Sequence, residues 1–312
     1  MSIRTLAVAT LVLAGTLSAA DKKLLSLVMP DVKVLGGVNV RGAAATPLGR
    51  YVLTAMMQRS RQLQQASTDF GLDAHSFREL LVASNSAPRY DAGIALARGS
   101  FHPPAIISKA VESGAVTETY KDVTLVTDAK HALGLAFLGS NVLITGDLAS
   151  VKTAIDQASA PWSMPASLSS RIAQLSAADD AWVVSTVSAS NLFPPSAARA
   201  GAGRGVSAQN VLRNVQRVSG GVKFGKLATV NALAQADTPE TAQLLANTLK
   251  LMVNLLQAQA KQLAPESAQS LVVDPEGNIL NLSFHLTDPE FRKMYQMVAG
   301  SQGRGAAPNA AK

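Results

Sequence analysis

The chain has 312 residues, 28 basic and 21 acidic, for a formal net charge of +7; hydrophobic residues make up 47%, charged residues 16%, and cysteine none. The lack of cysteine excludes a disulfide scaffold, a thiolate metal site and a cysteine nucleophile. So apolar a composition excludes a disordered chain, but it names no reaction.

In chain order, Met1-Ser-Ile-Arg4 is a short basic start, Thr5–Leu17 an uninterrupted weakly polar-to-apolar run, and Ser18-Ala19-Ala20 places small residues at the −3 and −1 positions before Asp21-Lys22-Lys23. That order predicts a signal peptide over residues 1–20, cleaved near Ala20, and export to the periplasm or the exterior. The run ending at Ala20 is shorter than the ~20 apolar residues that a spanning helix needs. No cysteine follows to carry a lipid, and no later stretch reads as a membrane span. Cleavage removes only Arg4 among charged side chains, so the mature protein stays basic. Its basic residues (Arg41, Arg50, Arg59, Arg78, Arg98, Arg171 and others) are dispersed without interleaved aromatics. This pattern argues against nucleic acid as partner. An acidic protein or an anionic envelope component suits it better.

Residues 32–41 read as a strand, and Thr46-Pro47 opens a helix carrying Leu48, Tyr51, Val52 and Ala55. Strands Glu79–Ser84 and Ala92–Arg98 flank a hairpin loop; His102-Pro103-Pro104 starts a second helix that Gly114 stops. From Val116 to Gly146 the period is two, with a tight turn at Gly139-Ser140-Asn141, and Asp147 caps the next helix. Residues 161–180 read as a connector with one short helix. The order then restarts: strand Ala181–Val187, helix Val206–Val215, hairpin Val218–Phe224 and Leu227–Ala236, and a long helix 239–263 begun by Thr238-Pro239-Glu240. Leu271–Val273 turns into Ile279–Leu286, and Asp288-Pro289-Glu290 begins the last helix, ended by Gly300.

The prediction is an α+β protein of two related halves, residues 21–160 and 181–299, each an antiparallel sheet with helices packed on one face. Residues 300–312 form a small-residue tail with no reason to fold. Local parallels carry the idea of an internal duplication: Gly139-Ser-Asn-Val-Leu-Ile before Asp147, and Gly277-Asn-Ile-Leu-Asn-Leu before Asp288. Convergence on common ββα chemistry explains them equally well.

Met29-Pro-Asp-Val-Lys-Val-Leu-Gly-Gly-Val-Asn39, Pro47-Leu-Gly-Arg-Tyr-Val-Leu53, Ala95-Leu-Ala-Arg-Gly-Ser-Phe101 and Gly146-Asp147 before Val151-Lys-Thr-Ala-Ile155 resemble a group of exported bacterial proteins with no assigned function. The resemblance covers about residues 25–290. It implies export and an α+β fold, and it transfers no active site.

Candidate chemistry is sparse. His75, His102, His131 and His285 show no HExxH or paired spacing, so neither a metal nor a cofactor is expected. His285, between Phe284 and Leu286, is expected on a solvated strand face. Gly201-Ala-Gly-Arg-Gly205 lacks the Lys-Ser/Thr ending of a phosphate loop and reads as a surface loop. Gly36-Gly37 and Gly220-Gly221 read as close-packing points in strands. Asp179-Asp180 read as a turn before Trp182, and Glu112, Glu118 and Asp122 as carboxylates the sequence cannot place together. There is no Gly-x-Ser-x-Gly elbow. The catalytic residues are therefore unknown, with the balance against an enzyme. Three functions remain: a non-enzymatic module binding a partner or envelope component, a carrier of an apolar ligand under helix 239–263, and a hydrolase with an unrecognised site. For the helix, whose apolar residues run round much of its circumference, the plain expectation is burial between the two sheets.

Overall fold

The structure is a computed structural model that describes residues 20–59, 74–85, 93–128, 132–160, 162–188, 214–259 and 270–302. The Gly201–Gly205 loop, His131 and most of the 206–215 helix expectation lie outside them. In chain order the described elements are α1 (Lys22–Ser26), β1 (Val34–Asn39), α2 (Val40–Ala44), α3 (Pro47–Arg59), β2 (Phe77–Ser84), β3 (Gly93–Gly99), α4 (Pro103–Glu112), β4 (Val116–Tyr120), β5 (Val123–Asp128), β6 (Leu133–Leu138), β7 (Val142–Asp147) and α5 (Leu148–Ser159). They continue with α6 (Ala166–Ala178), β8 (Ala181–Ser185), β9 (Val215–Phe224), β10 (Ala228–Ala236), α7 (Pro239–Gln259), β11 (Val272–Glu276), β12 (Ile279–Leu286) and α8 (Asp288–Gln302).

The fold is α+β and every strand pair is antiparallel. The two expected sheets are one. Twelve strands run in the order β11-β12-β10-β9-β8-β1-β2-β3-β7-β6-β5-β4, and the halves meet where β1 pairs with β8. Gly37 makes that seam close, because Trp182 of β8 lies over it where any Cβ would collide with the indole. Strand order is mirrored about the seam, and Gly139 and Gly277 both take the left-handed backbone conformation (φ +67° and +58°) at matching hairpin turns.

Helices lie on both faces rather than one. On the first face α1, α5 and α6 bury Leu24, Val151, Ile155, Ile172 and Leu175 against Leu35, Leu81, Ile94, Leu96, Ile144 and Trp182. Fully burying each such aliphatic side chain contributes about 1.5–3 kcal/mol before the entropy of ordering it. On the second face α2, α3 and α8 close over one end of the central strands through Leu48, Leu53 and Phe291, with Phe224 set edge-on to Phe291. Also on that face, α4 seats Ile106 beside Phe101 and Phe137, and α7 seats Ala242, Leu245 and Ala246 on Val273 and Leu280.

The residues foreseen as caps do cap. Thr46 Oγ1 accepts from the N–H of Gly49, Asp147 Oδ1 from that of Ser150, and Thr238 Oγ1 from that of Thr241. Four expectations change. The first strand ends at Asn39, whose side chain accepts from the Gly42 N–H and starts α2. Val215 opens a strand rather than closing a helix. The connector contains a thirteen-residue helix, α6, that is part of the first-face core. The last helix passes Gly300 and ends at Gln302. Helix α7 lies on one sheet face, not between two sheets, and leaves Leu244 and Leu251 about 60% exposed. Among the described residues, no helix is long and apolar enough to cross a membrane.

Candidate binding site

Strands β9, β10 and β12 carry apolar side chains on the second face (Val218, Val222, Val230, Ala234, Leu280, Phe284) and, apart from Leu233, Ile279 and Gly221, polar ones on the first. Among the described residues, α6 packs on this face, against β8 and β9. Where α6 crosses it, a cleft of about 340 Å³ opens. Val184 of β8 and Thr186 just after it, Arg217 and Ser219 of β9, and Leu233 and Gln235 of β10 form its floor. Leu168 and Arg171 of α6 form one wall, and Pro30, Val32, Trp162 and Pro165 close the end. Trp162 is fixed there by its Nε1–H, which donates to the Val28 carbonyl at 2.6 Å.

The charged side chains that line this cleft are both cationic. Arg171 donates from Nε to Ser219 Oγ at 2.8 Å. Partial burial pulls its pKa below the ordinary arginine value, and the Asp179 carboxylate acts in the opposite sense. A guanidinium stays charged under such a shift and keeps further donors in a planar fork suited to carboxylate or phosphate. Arg217 adds a second guanidinium to the lining. Two cations beside the apolar Val32, Trp162, Leu168, Val184 and Leu233 can hold an anionic head group with a short apolar stretch behind it.

Beside the cleft, the two adjacent aspartates are buried rather than turned into solvent. Asp180 is 1% exposed, accepts from Lys223 Nζ at 2.8 Å and from the Phe224 N–H at 2.9 Å, and so ties the start of β8 to β9. Asp179 stands over Gly221, which has no Cβ to block it, and one of its oxygens is buried without a partner. Burial, and secondarily the Asp180 charge, push its carboxyl above the usual carboxylate range.

The other residues singled out from the sequence do not gather. His285 points to the first face, away from Phe284 and Leu286, and its Nδ1 lies 3.0 Å from Thr229 Oγ1. His102 precedes α4 without a side-chain capping bond. Glu118 pairs with Lys152 at 3.0 Å, Glu112 accepts from Ser108, and Asp122 sits in the β4–β5 turn. Among the described residues, no three His, Cys, Asp or Glu side chains are grouped to hold a metal ion. The glycine pairs are close-packing points as expected: Trp182 lies over Gly37, and β10 backbone presses on Gly220. Sequence reasoning missed the pairing of Arg171 with Arg217, since only strand pairing and the α6 crossing bring them to one cleft.

A second feature is the middle of the second face, between the helices that cover its ends. Cross-strand partners Ala232, Gly220, Val183, Gly36, Val82 and Ala95 form a row across β10, β9, β8, β1, β2 and β3. Val82 is 59% and Val183 42% exposed in this shallow apolar strip.

No protein-family model and no curated protein matches the chain. Among solved structures it is similar to TP0453 of Treponema pallidum. Crystal form I aligns at a TM-score of 0.55 and 8% identity over 90% of this chain and 99% of that one. Forms III and IV align at 0.53 and 0.54, with 8% and 7% identity, over 88% and 90% of this chain and 97% and 99% of theirs. At such identities the likeness shows a shared fold and nothing of activity.

Proposed function

We propose that the protein is an exported, non-enzymatic binding module that takes an anionic, partly apolar component of the cell envelope in the cleft of Arg171 and Arg217. The observation that carries this is that two guanidiniums share a half-enclosed volume of about 340 Å³ with the apolar side chains of Val32, Trp162, Leu168, Val184 and Leu233. That volume is at the small end of ligand sites, room for a head group and the first carbons of a chain. The leader-like N-terminus and the basic balance support the compartment and the sign of the ligand. The test uses dodecyl phosphate as probe, with dodecanol as the uncharged control and Trp162 in the cleft wall as fluorophore. The phosphate is expected to bind saturably and the alcohol at least tenfold more weakly, with Arg171→Gln/Arg217→Gln erasing the difference. Equal binding of both probes, or none by either, would refute the assignment.

The second reading is a protein partner on the strip of Val82 and Val183, because a flat, uncovered apolar face is what such partners use. Crosslinking of the native protein in its host, followed by identification of what is captured, tests it. A carrier site under helix 239–263 is less well supported, since Ala242, Leu245 and Ala246 already bring the described part of α7 against Val273 and Leu280. A hydrolase would need reactive groups in concert; the Thr229–His285 contact is exposed on the sheet and lies outside the cleft lining, which contains no histidine or carboxylate.

A further inference from the structure

Asp21 is held at three points. Its backbone N–H lies 3.1 and 3.2 Å from the two carboxylate oxygens of Glu79 on β2. Its Oδ1 accepts from the N–H groups of Lys23 and Leu24 and starts α1. Its Oδ2 is 3.1 Å from Nε of Arg98 on β3, the cross-strand partner of Glu79. One guanidinium thus serves two carboxylates, bonded to Asp21 and acting on Glu79 through its charge alone, and Nη1 of Arg98 is buried with no partner. The cluster is one positive charge short, and a two-oxygen anion is served by a single amide. One residue earlier the environment differs: the Ala20 N–H donates to a neutral hydroxyl, Ser176 Oγ, at 2.9 Å.

We propose that the Asp21 nitrogen is the α-ammonium of the processed protein and that Glu79 is placed to receive it, so that removal of the leader closes an ion-pair latch on the first face. This rests on the export reading above. A leader peptidase adds water across the Ala20–Asp21 peptide bond, before the chain folds, leaving a carboxylate on the departing Ala20 and an ammonium on Asp21. The new cation balances Asp21 and Glu79 against Arg98 and itself, and it offers three donors where the amide offered one. In the uncut chain, burial lifts the Glu79 carboxyl from 4.5 to about 7, opposed by the Asp21 amide and Arg98. A cation about 3 Å away favours its charged form again.

The test is a two-by-two cycle of urea unfolding at pH 6.5, with chains that begin at Ala19 or at Asp21 and carry Glu79 or Glu79→Gln. The latch predicts that the Asp21 start lowers the unfolding constant about tenfold or more with Glu79, one unit of pKa coupling, and that Glu79→Gln abolishes this. Loss of Ala20 burial is common to both backgrounds and cancels in the cycle. Equal effects in both backgrounds would overturn the proposal. If Glu79→Gln does not fold, titration of the Asp21 amine decides: a pKa at least one unit above the ordinary ~7.7–8.0 supports the latch, and an ordinary value overturns it. N-terminal sequencing of the exported protein separates the two claims. A start other than Asp21 defeats the processing site, whereas an Asp21 start without coupling defeats the latch alone.

Discussion

Gly37→Ala tests whether the seam between β1 and β8 makes one cooperative unit of the two halves. A Cβ at Gly37 would lie 2.5 Å from Cε2 and Cζ2 of Trp182 and 2.7 Å from its Nε1. Carbon atoms in contact prefer about 3.5–4 Å, so the indole must retreat by roughly 1 Å. It has little room, being 6% exposed and packed in the first-face core. Overpacking of this kind costs about 1–3 kcal/mol, and replacing a strand glycine returns about 0.5–1 kcal/mol. A net destabilisation of about 1–2 kcal/mol lowers Tm by roughly 2–8 °C in a protein of this size. The assay is urea unfolding followed by far-UV circular dichroism and tryptophan fluorescence. Both probes should report one transition, with a lowered midpoint and an unchanged slope. Two transitions of which only one moves would show that residues 21–160 and 181–299 unfold separately, and an unmoved midpoint would show that Trp182 is not seated on Gly37.

Two further predictions concern the buried aspartates. Asp180→Ala leaves the Phe224 N–H without its acceptor and removes the Lys223 contact; a loss of about 2–3 kcal/mol is expected in chemical denaturation, and a loss below 0.5 kcal/mol would contradict the tie between β8 and β9. Asp179→Asn should stabilise the protein at pH 7, because the folded carboxyl titrates above its unfolded value. The stability that goes with such a group is complete below the unfolded pKa and lost as pH rises through the folded one. The advantage of the variant should therefore shrink as pH falls toward about 4; an advantage that grows on acidification would refute the sign.

Much of the local structure was legible because it depends on neighbouring residues. The alternation from Val116 to Gly146 gives four strands, and Thr46, Asp147 and Thr238 stand where helix starts need acceptors. Helix α6 was harder to see, since Pro161, Pro165 and the serines look like a connector while its core contacts come from the widely spaced Leu168, Ile172 and Leu175. The seam was invisible for a different reason: β1 and β8 are far apart in sequence, and nothing in either names its partner. The candidate site shares that difficulty, because Arg171 and Arg217 look like two dispersed basic residues until the sheet brings them together.

The position of the cleft follows from one asymmetry between the halves. Strand β7 is buried on both faces through Val142, Leu143 and Ile144, and α5 returns from it over the first face. The corresponding strand β12 alternates from Leu280 onward, with Leu280, Leu282, Phe284 and Leu286 on one side and Asn281, Ser283 and His285 on the other. An apolar second face and a polar first face leave α8 only one favourable place to bury Phe291, and it packs on the second. Among the described residues, the first face of β9, β10 and β12 has no counterpart to α5, keeps its polar side chains, and is bordered by α6. Degenerate duplication and convergence both fit the repeated element order, but the terminal helices α5 and α8 pack on opposite faces in the two halves. Among the described residues, the cleft beside α6 thus lies on the face that α8 does not take.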